Sequence, residues 1–275
     1  MILLGVGLAL GACAEPTVTV MSFNLRHGTA SDGDNSWPNR KTVLADAIRH
    51  CAPDILGTQE CLDFQAEFIA QALPEYRWIG IGREADATGE MAAIFYKKDV
   101  LSPIATGNFW LSATPDVPGS RSWNTGCTRM VTWARFRHLP SNTFLYCFNT
   151  HFDNESEEAR RHSAALLIER AASLAGALPT IITGDFNAAA EETPAWHTLV
   201  NGGFADAWLD AKQRKGPEVT YGDFGPPQEG KKERIDWILF RGPIKCAECE
   251  TVLYNNQGRY PSDHYPITAR LLLAR

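Results

Sequence analysis

The octapeptide Thr180-Ile181-Ile182-Thr183-Gly184-Asp185-Phe186-Asn187 constrains this chain more than any other stretch. Its β-branched apolar run reads as a strand, and the strand stops at a glycine that hands over to an aspartate and an asparagine two residues apart. In extended backbone that spacing turns both side chains to one side, where a carboxylate can take a proton or a cation and an amide can hold an oxygen. An Asx turn closing a strand would look the same if this stretch stood alone. The pattern repeats, however. Thr17 to Met21 alternates β-branched residues and delivers Asn24 to a loop, Asp54 to Leu56 leads to Glu60, Phe144 to Asn149 leads to His151, and Ile235 to Phe240 carries Asp236 inside an apolar run. Five separate strands finish in groups that can ligate a hard cation or shuttle a proton, a set on which independent turns would seldom converge.

Helices are fewer. Pro38 to Cys51 places Val43, Leu44, Ala47, Ile48 and Cys51 on one face, with Pro38 tolerated in the first turn. A second amphipathic helix carries Phe64, Phe68 and Ile69, and Glu155 to Leu174 is the longest, with Asn154 at its N-cap and Glu157 in the capping-box position. Further strands are expected at Tyr76 to Ile81, Met91 to Tyr96, Arg129 to Arg137, Thr251 to Tyr254 and Tyr265 to Leu272. Few helices and hairpin-length gaps predict a mixed α/β chain of two mostly antiparallel sheets, not a doubly wound parallel one. Neither a dinucleotide nor a P-loop glycine motif is present. No linker, charge run or repeat divides the chain, and the candidate site residues run from 24 to 264, so residues 14–275 read as one domain.

Near the C-terminus, Pro261-Ser262-Asp263-His264 precedes a half-buried strand. A carboxylate such as Asp236 is costly to bury unless a donor or cation pairs with it, and His264 is the expected partner: Asp236 would accept from one ring nitrogen and raise the basicity of the other. Arginine is the competing partner for Asp236. Oxygen-rich ligation without a cysteine or histidine cluster favours Mg²⁺, Mn²⁺ or Ca²⁺ over zinc. The lone Cys246-x-x-Cys249 has no companion pair, so packing cysteines are expected, with a disulfide open if the compartment is oxidising.

Lys and Arg number 26 against 32 Asp and Glu, a net charge of −6, which does not favour a nucleic-acid partner. Residues 1–13 form an uncharged apolar run too short to span a bilayer. They read as an export signal ending in Leu10-Gly11-Ala12-Cys13, similar to a bacterial lipoprotein box, with a buried first strand as the alternative. The expectation is a monomeric, exported periplasmic or cell-envelope lipoprotein that touches membrane only through a lipid on Cys13.

Taken together, Ser22-Phe23-Asn24, Thr58-Gln59-Glu60, Asn149-Thr150-His151, Gly184-Asp185-Phe186-Asn187, Ile235-Asp236 and Ser262-Asp263-His264 resemble, in order, the motifs of the endonuclease/exonuclease/phosphatase superfamily. That superfamily includes deoxyribonucleases, abasic-site endonucleases, sphingomyelinases and inositol-polyphosphate phosphatases. The resemblance implies a four-layer α/β/β/α sandwich and a metal-dependent hydrolase in which water attacks phosphorus. It makes Glu60 the principal metal ligand, helped by Asn24 and Asp263, while Asp185 and Asn187 position the water and the phosphate. It makes His264, held by Asp236, the base or the phosphate contact, and His151 the group at the transition state or the leaving oxygen. By the same likeness Glu90 would orient His151, and Arg129 would contact phosphate. The substrate class implied is a phosphate-ester small molecule or lipid headgroup. A secreted nuclease and an inactive phosphate-binding lipoprotein are the alternatives. The stretches Arg26 to Trp37 and Phe109 to Gly119 look most like exported bacterial members of unassigned substrate. Their aromatic residues, with Trp123, either wall the pocket or fill shape near its mouth.

Overall fold

The computed structural model describes residues 15–273, so the expected export segment lies outside the described residues. In chain order the strands are β1 Thr17–Asn24, β2 Ile55–Gln59, β3 Tyr76–Ile79, β4 Ile94–Lys97, β5 Leu101–Trp110, β6 Met130–His138 and β7 Thr143–His151. They continue with β8 Thr180–Asp185, β9 Ala205–Asp206, β10 Gln213–Lys215, β11 Asp236–Arg241, β12 Ile244–Thr251 and β13 Ile267–Leu273. The helices are α1 Trp37–Cys51, α2 Asp63–Ala72, α3 Glu157–Ala175, α4 Pro194–Asn201 and α5 Ala207–Asp210.

Two sheets result, one in the order β10-β12-β13-β1-β2-β4-β3 and the other β5-β6-β7-β8-β11-β9. Only β1 with β2, β7 with β8 and β10 with β12 pair in parallel. Side-chain alternation explains the layering. In β1, Val18 and Val20 point into an inter-sheet core with Ile181, Ile238, Phe240 and Leu271, while Met21 and Phe23 point the other way onto Leu44, Ile48 and Ile69 of α1 and α2. In β8 and β11, Ile182, Trp237 and Leu239 turn outward onto Leu167, Ala171 and Leu199 of α3 and α4. Each sheet therefore buries both faces, and a helix layer closes each outer one, which gives the α/β/β/α sandwich.

Three expectations are corrected. Of residues 251–254 only Thr251 is strand, as the end of β12, which lies upstream and whose bulge between Cys246 and Glu248 breaks the alternation that would have revealed it. The same bulge puts Cys246 and Cys249 together in the core, and all six described cysteines are free. Helix α3 is capped by Ser156, whose hydroxyl accepts from the Ala159 N–H, and not by Asn154, which accepts from Arg129 instead. Strand β5 went unseen because Pro103 and Gly107 interrupt it; both are tolerated because β5 is an edge strand with a bulge after Pro103.

Candidate active site

The inter-sheet face is apolar along most of its length and turns polar at one end. Alternation carries it there: Ile181, Thr183 and Asp185 share a face of β8, Cys147, Asn149 and His151 a face of β7, and Val20, Ser22 and Asn24 a face of β1. Register then aligns the ends, with His151 beside Asp185, Asp236 opposite Asp185, and Asn24 beside Gln59. Beneath this end a buried amide network ties the sheets. Gln59 Nε2 donates to Asn149 Oδ1 (2.8 Å), Thr183 Oγ1 donates to the same oxygen (2.9 Å), and Asn149 Nδ2 donates to the carbonyls of Thr58 (2.7 Å) and Ala93 (2.9 Å). This network fixes the spacing of the two sheets under the site, with Gln59 Oε1 alone of its amide atoms meeting no donor among the described residues.

Glu60, Asn187 and Arg26 adopt left-handed backbone, with φ of 56°, 47° and 58°. For residues with a Cβ this conformation is uncommon and costs of order 1–3 kcal/mol, and here it breaks strand alternation so that all three side chains line one cavity of about 410 Å³. The same cavity is lined by His27, Arg83, Glu90, Cys127, Arg129, His151, Asn154, Asp185, Tyr221, Asp263 and His264. Asn24 sits just beneath, its amide donating to Glu60 Oε1 and Asp185 Oδ2 (3.0 Å each) while its oxygen accepts from the Arg26 N–H (2.9 Å). Asn24 therefore tethers two carboxylates.

His264 Nδ1 lies 2.9 Å from Asp236 Oδ2, and its Nε2 lies 3.7 Å from Asp185 Oδ2. Burial alone would lower the His264 pKa, but the carboxylates of Asp236 and Asp185 outweigh it and push it up to about 10. Burial, together with the charge of Asp236, raises Asp185 to about 7. His151 goes the other way: burial and nearby cations depress it. Its Nε2 faces Asn187 Nδ2 (2.9 Å), whose other proton goes to the Phe152 carbonyl, so Asn187 donates and the imidazole proton belongs on Nδ1.

Asp185, Asp236 and His264 present their ligating atoms within 4.8 Å of one another. The hydrogen bond between Asp236 and His264 makes this trio a proton relay more than a cation cage. Glu60 and Asp263 line the same cavity as Asp185 and offer it further carboxylate oxygens. Burial and the neighbouring charge of Glu60 raise the pKa of Asp263, and such like-charge crowding is what a divalent cation relieves. Buried oxygen donors of this kind fit a hard cation such as Mg²⁺ or Mn²⁺.

Glu90 does not reach His151. Its Oε2 accepts from Arg83 Nη1 (2.6 Å), its Oε1 lies 3.7 Å from His27 Nε2, and His151 Nδ1 meets no acceptor. Arg129 donates to Asn154 Oδ1 (3.0 Å) and lies 3.7 Å from Asp153. The tryptophans fill shape: Trp37 packs edge-on against Phe64 and Phe68, Trp110 is buried, and Trp123 stacks on His162. The sequence places Arg26 and His27 only within a stretch that could wall the pocket, and Arg83 and Tyr221 carry no local signal.

Residues 21–264 match the model of the endonuclease/exonuclease/phosphatase family. The chain belongs to that family. Among solved structures, it is 33% identical to an endonuclease/exonuclease/phosphatase of Bacteroides vulgatus, with a TM-score of 0.90 over 94% of this chain and 100% of that one. It is 32% identical to a mannosyl-6-phosphatase of Bacteroides thetaiotaomicron, with a TM-score of 0.87 over 93% of this chain and 99% of that one. Nocturnin of Drosophila melanogaster is 24% identical over 84% of this chain, which spans 41% of that protein. The family places this chain among phosphoester hydrolases.

Proposed function

We propose that this chain is a divalent-metal-dependent hydrolase of small phosphate esters. The reading rests on the convergence of Glu60, His151, Asp185, Asn187, Asp263 and His264 on one cavity from elements far apart in the chain. Glu60 and Asp263 would hold the cation. When bound, a divalent cation supplies positive charge to the phosphoryl oxygens and lowers their repulsion of an incoming nucleophile.

The side chains supply the rest. His264, charged at neutral pH and anchored by Asp236, donates from Nε2 to a phosphoryl oxygen. Asp185, poised near neutrality, is the base that takes the proton of the attacking water. The water oxygen bonds to phosphorus, the bond from phosphorus to the ester oxygen breaks, and that oxygen leaves as the alcohol with a proton from solvent, to which Asp185 returns the one it took. Asn187 and neutral His151 hold the opposite wall and orient the phosphoryl group.

Charge favours a small substrate over a polynucleotide. Each arginine lining the cavity already faces acid: Arg26 faces Asp32 and Asp263, Arg83 faces Glu90, and Arg129 faces Asp153. Little cationic surface is left for a row of phosphates. The likeness to a mannosyl-6-phosphatase also favours a small ester. We further propose that residues 1–13 direct export and that Cys13 carries a lipid.

Hydrolysis of p-nitrophenyl phosphate and its bis ester tests the reading. EDTA should abolish turnover, Mg²⁺ or Mn²⁺ should restore it, and Asp185→Ala should remove it without unfolding the chain. Full activity in chelator would overturn the metal mechanism.

A further inference from the structure

We propose that the cavity takes a phosphorylated sugar or similar polyol, whose hydroxyls are read by the Arg83–Glu90 pair with His27; this rests on the phosphoesterase reading above. The starting observation is that Glu90 is free of His151 and built into a different unit. Residues 82–90 form a tight hairpin in which the Arg83 N–H bonds the Glu90 carbonyl and the Glu84 N–H bonds the Thr88 carbonyl, each at 3.0 Å. Asp86 closes its tip by accepting from the Thr88 amide and hydroxyl. Gly82 leaves no room for a larger residue, since a Cβ there would stand 2.2 Å from the Thr88 carbonyl oxygen. Arg83 and Glu90 thus emerge side by side from paired positions of a closed turn, and their side chains bond at 2.6 Å.

The two stretches most characteristic of this chain both serve that hairpin. From behind, Trp110 Nε1 donates to the Arg83 carbonyl (2.6 Å). From the front, His27 brings Nε2 to 3.7 Å from Glu90 Oε1. Both stretches therefore converge on one wall, which adjoins Glu60 through the His27 N–H donating to Glu60 Oε2 (2.7 Å).

The chemistry of that wall is selective. A hydroxyl donates one proton and accepts others, so a carboxylate locked beside a guanidinium offers complementary sites to adjacent hydroxyls. Arg129, 6% exposed, lines the same cavity with its Nε facing Asp153 at 3.7 Å and its Nη2 on Asn154. On the opposite rim, Tyr221 is 43% exposed and stands edge-on to His264 (5.2 Å), leaving ring surface for the apolar face of a sugar. A bare alkyl chain would desolvate Glu90 and Arg83 without replacing their water, which is why a site of this kind rejects analogues that lack hydroxyls.

The wild-type enzyme with Mg²⁺ or Mn²⁺ supplies the first test. Its kcat/KM on a panel of hexose 6-phosphates, hexyl phosphate, p-nitrophenyl phosphate and a short oligonucleotide should favour one hexose phosphate over hexyl phosphate by roughly 100-fold or more. Glu90→Gln and Arg83→Gln, checked for folding by circular dichroism, should each lower the ratio of hexose phosphate to p-nitrophenyl phosphate activity by about tenfold, chiefly through KM. Equal rates on the hexose and hexyl esters, a faster rate on the oligonucleotide, or equal losses on both substrates in the folded variants would overturn the assignment. Failure of the wild type to hydrolyse any ester would instead sink the phosphoesterase reading.

Discussion

Arg40 is a fully buried guanidinium that bonds four backbone carbonyls. Nη1 donates to Leu25 (2.6 Å) and Pro261 (3.0 Å), Nη2 to Arg26 (2.9 Å), and Nε to Asn35 (2.9 Å). It thereby staples the loop that presents Arg26 and His27 to the loop that presents Asp263 and His264. Burial pushes its pKa down to about 10, still leaving it charged at neutral pH. Arg40→Met keeps bulk against Trp37 and Phe224 but removes every donor. The Arg26 carbonyl retains Gln65 Nε2; the other three lose this partner, at about 1–3 kcal/mol each when buried. Relief of the buried cation offsets part of that sum, so the net loss should be about 3–5 kcal/mol. At about 2–4 °C per kcal/mol, Tm should fall by roughly 6–20 °C, and turnover should fall with it because both loops carry site residues. Thermal unfolding followed by circular dichroism, beside a p-nitrophenyl phosphate assay, measures both. A Tm within about 2 °C of wild type would refute the staple.

Asp236→Asn should lower turnover by roughly 10²–10⁴-fold while the fold persists, because His264 loses the carboxylate that orients and charges it; an unchanged rate would remove the relay. In EDTA, stability should decline as pH rises, from about pH 4 to 7 through Asp185 and from about 6.5 to 10 through His264. The folded pKa values of Asp185 (about 7) and His264 (about 10) both lie above their ordinary values, so each contribution is whole below the ordinary pKa and is lost by the time pH has passed the folded one. His151, depressed below its ordinary 6.5, changes stability only on the acid side. Asp185→Asn should flatten the decline below about pH 7, and a slope there equal to wild type would contradict the assignment. Gly57→Ala would put a Cβ 2.1 Å from Thr183 Oγ1 and 2.5 Å from Asn149 Oδ1. It should cost about 1–3 kcal/mol in urea unfolding, and an unmoved midpoint would mean that the inter-sheet network yields freely.

Strand endings and the alternation leading into them were local properties, readable because one residue in two must face the core. The chain therefore announced Asn24, His151, Asp185 and Asp236 before any fold was known, along with the mostly antiparallel sheets. Where alternation is broken, at the bulges of β5 and β12, the reading failed. The cost of burying Asp236 already called for His264, and the structure pairs them. The other partnerships were of another kind. That Glu90 bonds Arg83 in place of His151, and that Arg26, His27 and Tyr221 join the cavity, depend on how two sheets meet and how loops distant in the chain cross their common end. Hydrogen bonds select partners within about 3 Å, a scale on which neighbours in space are set by packing and not by position along the backbone.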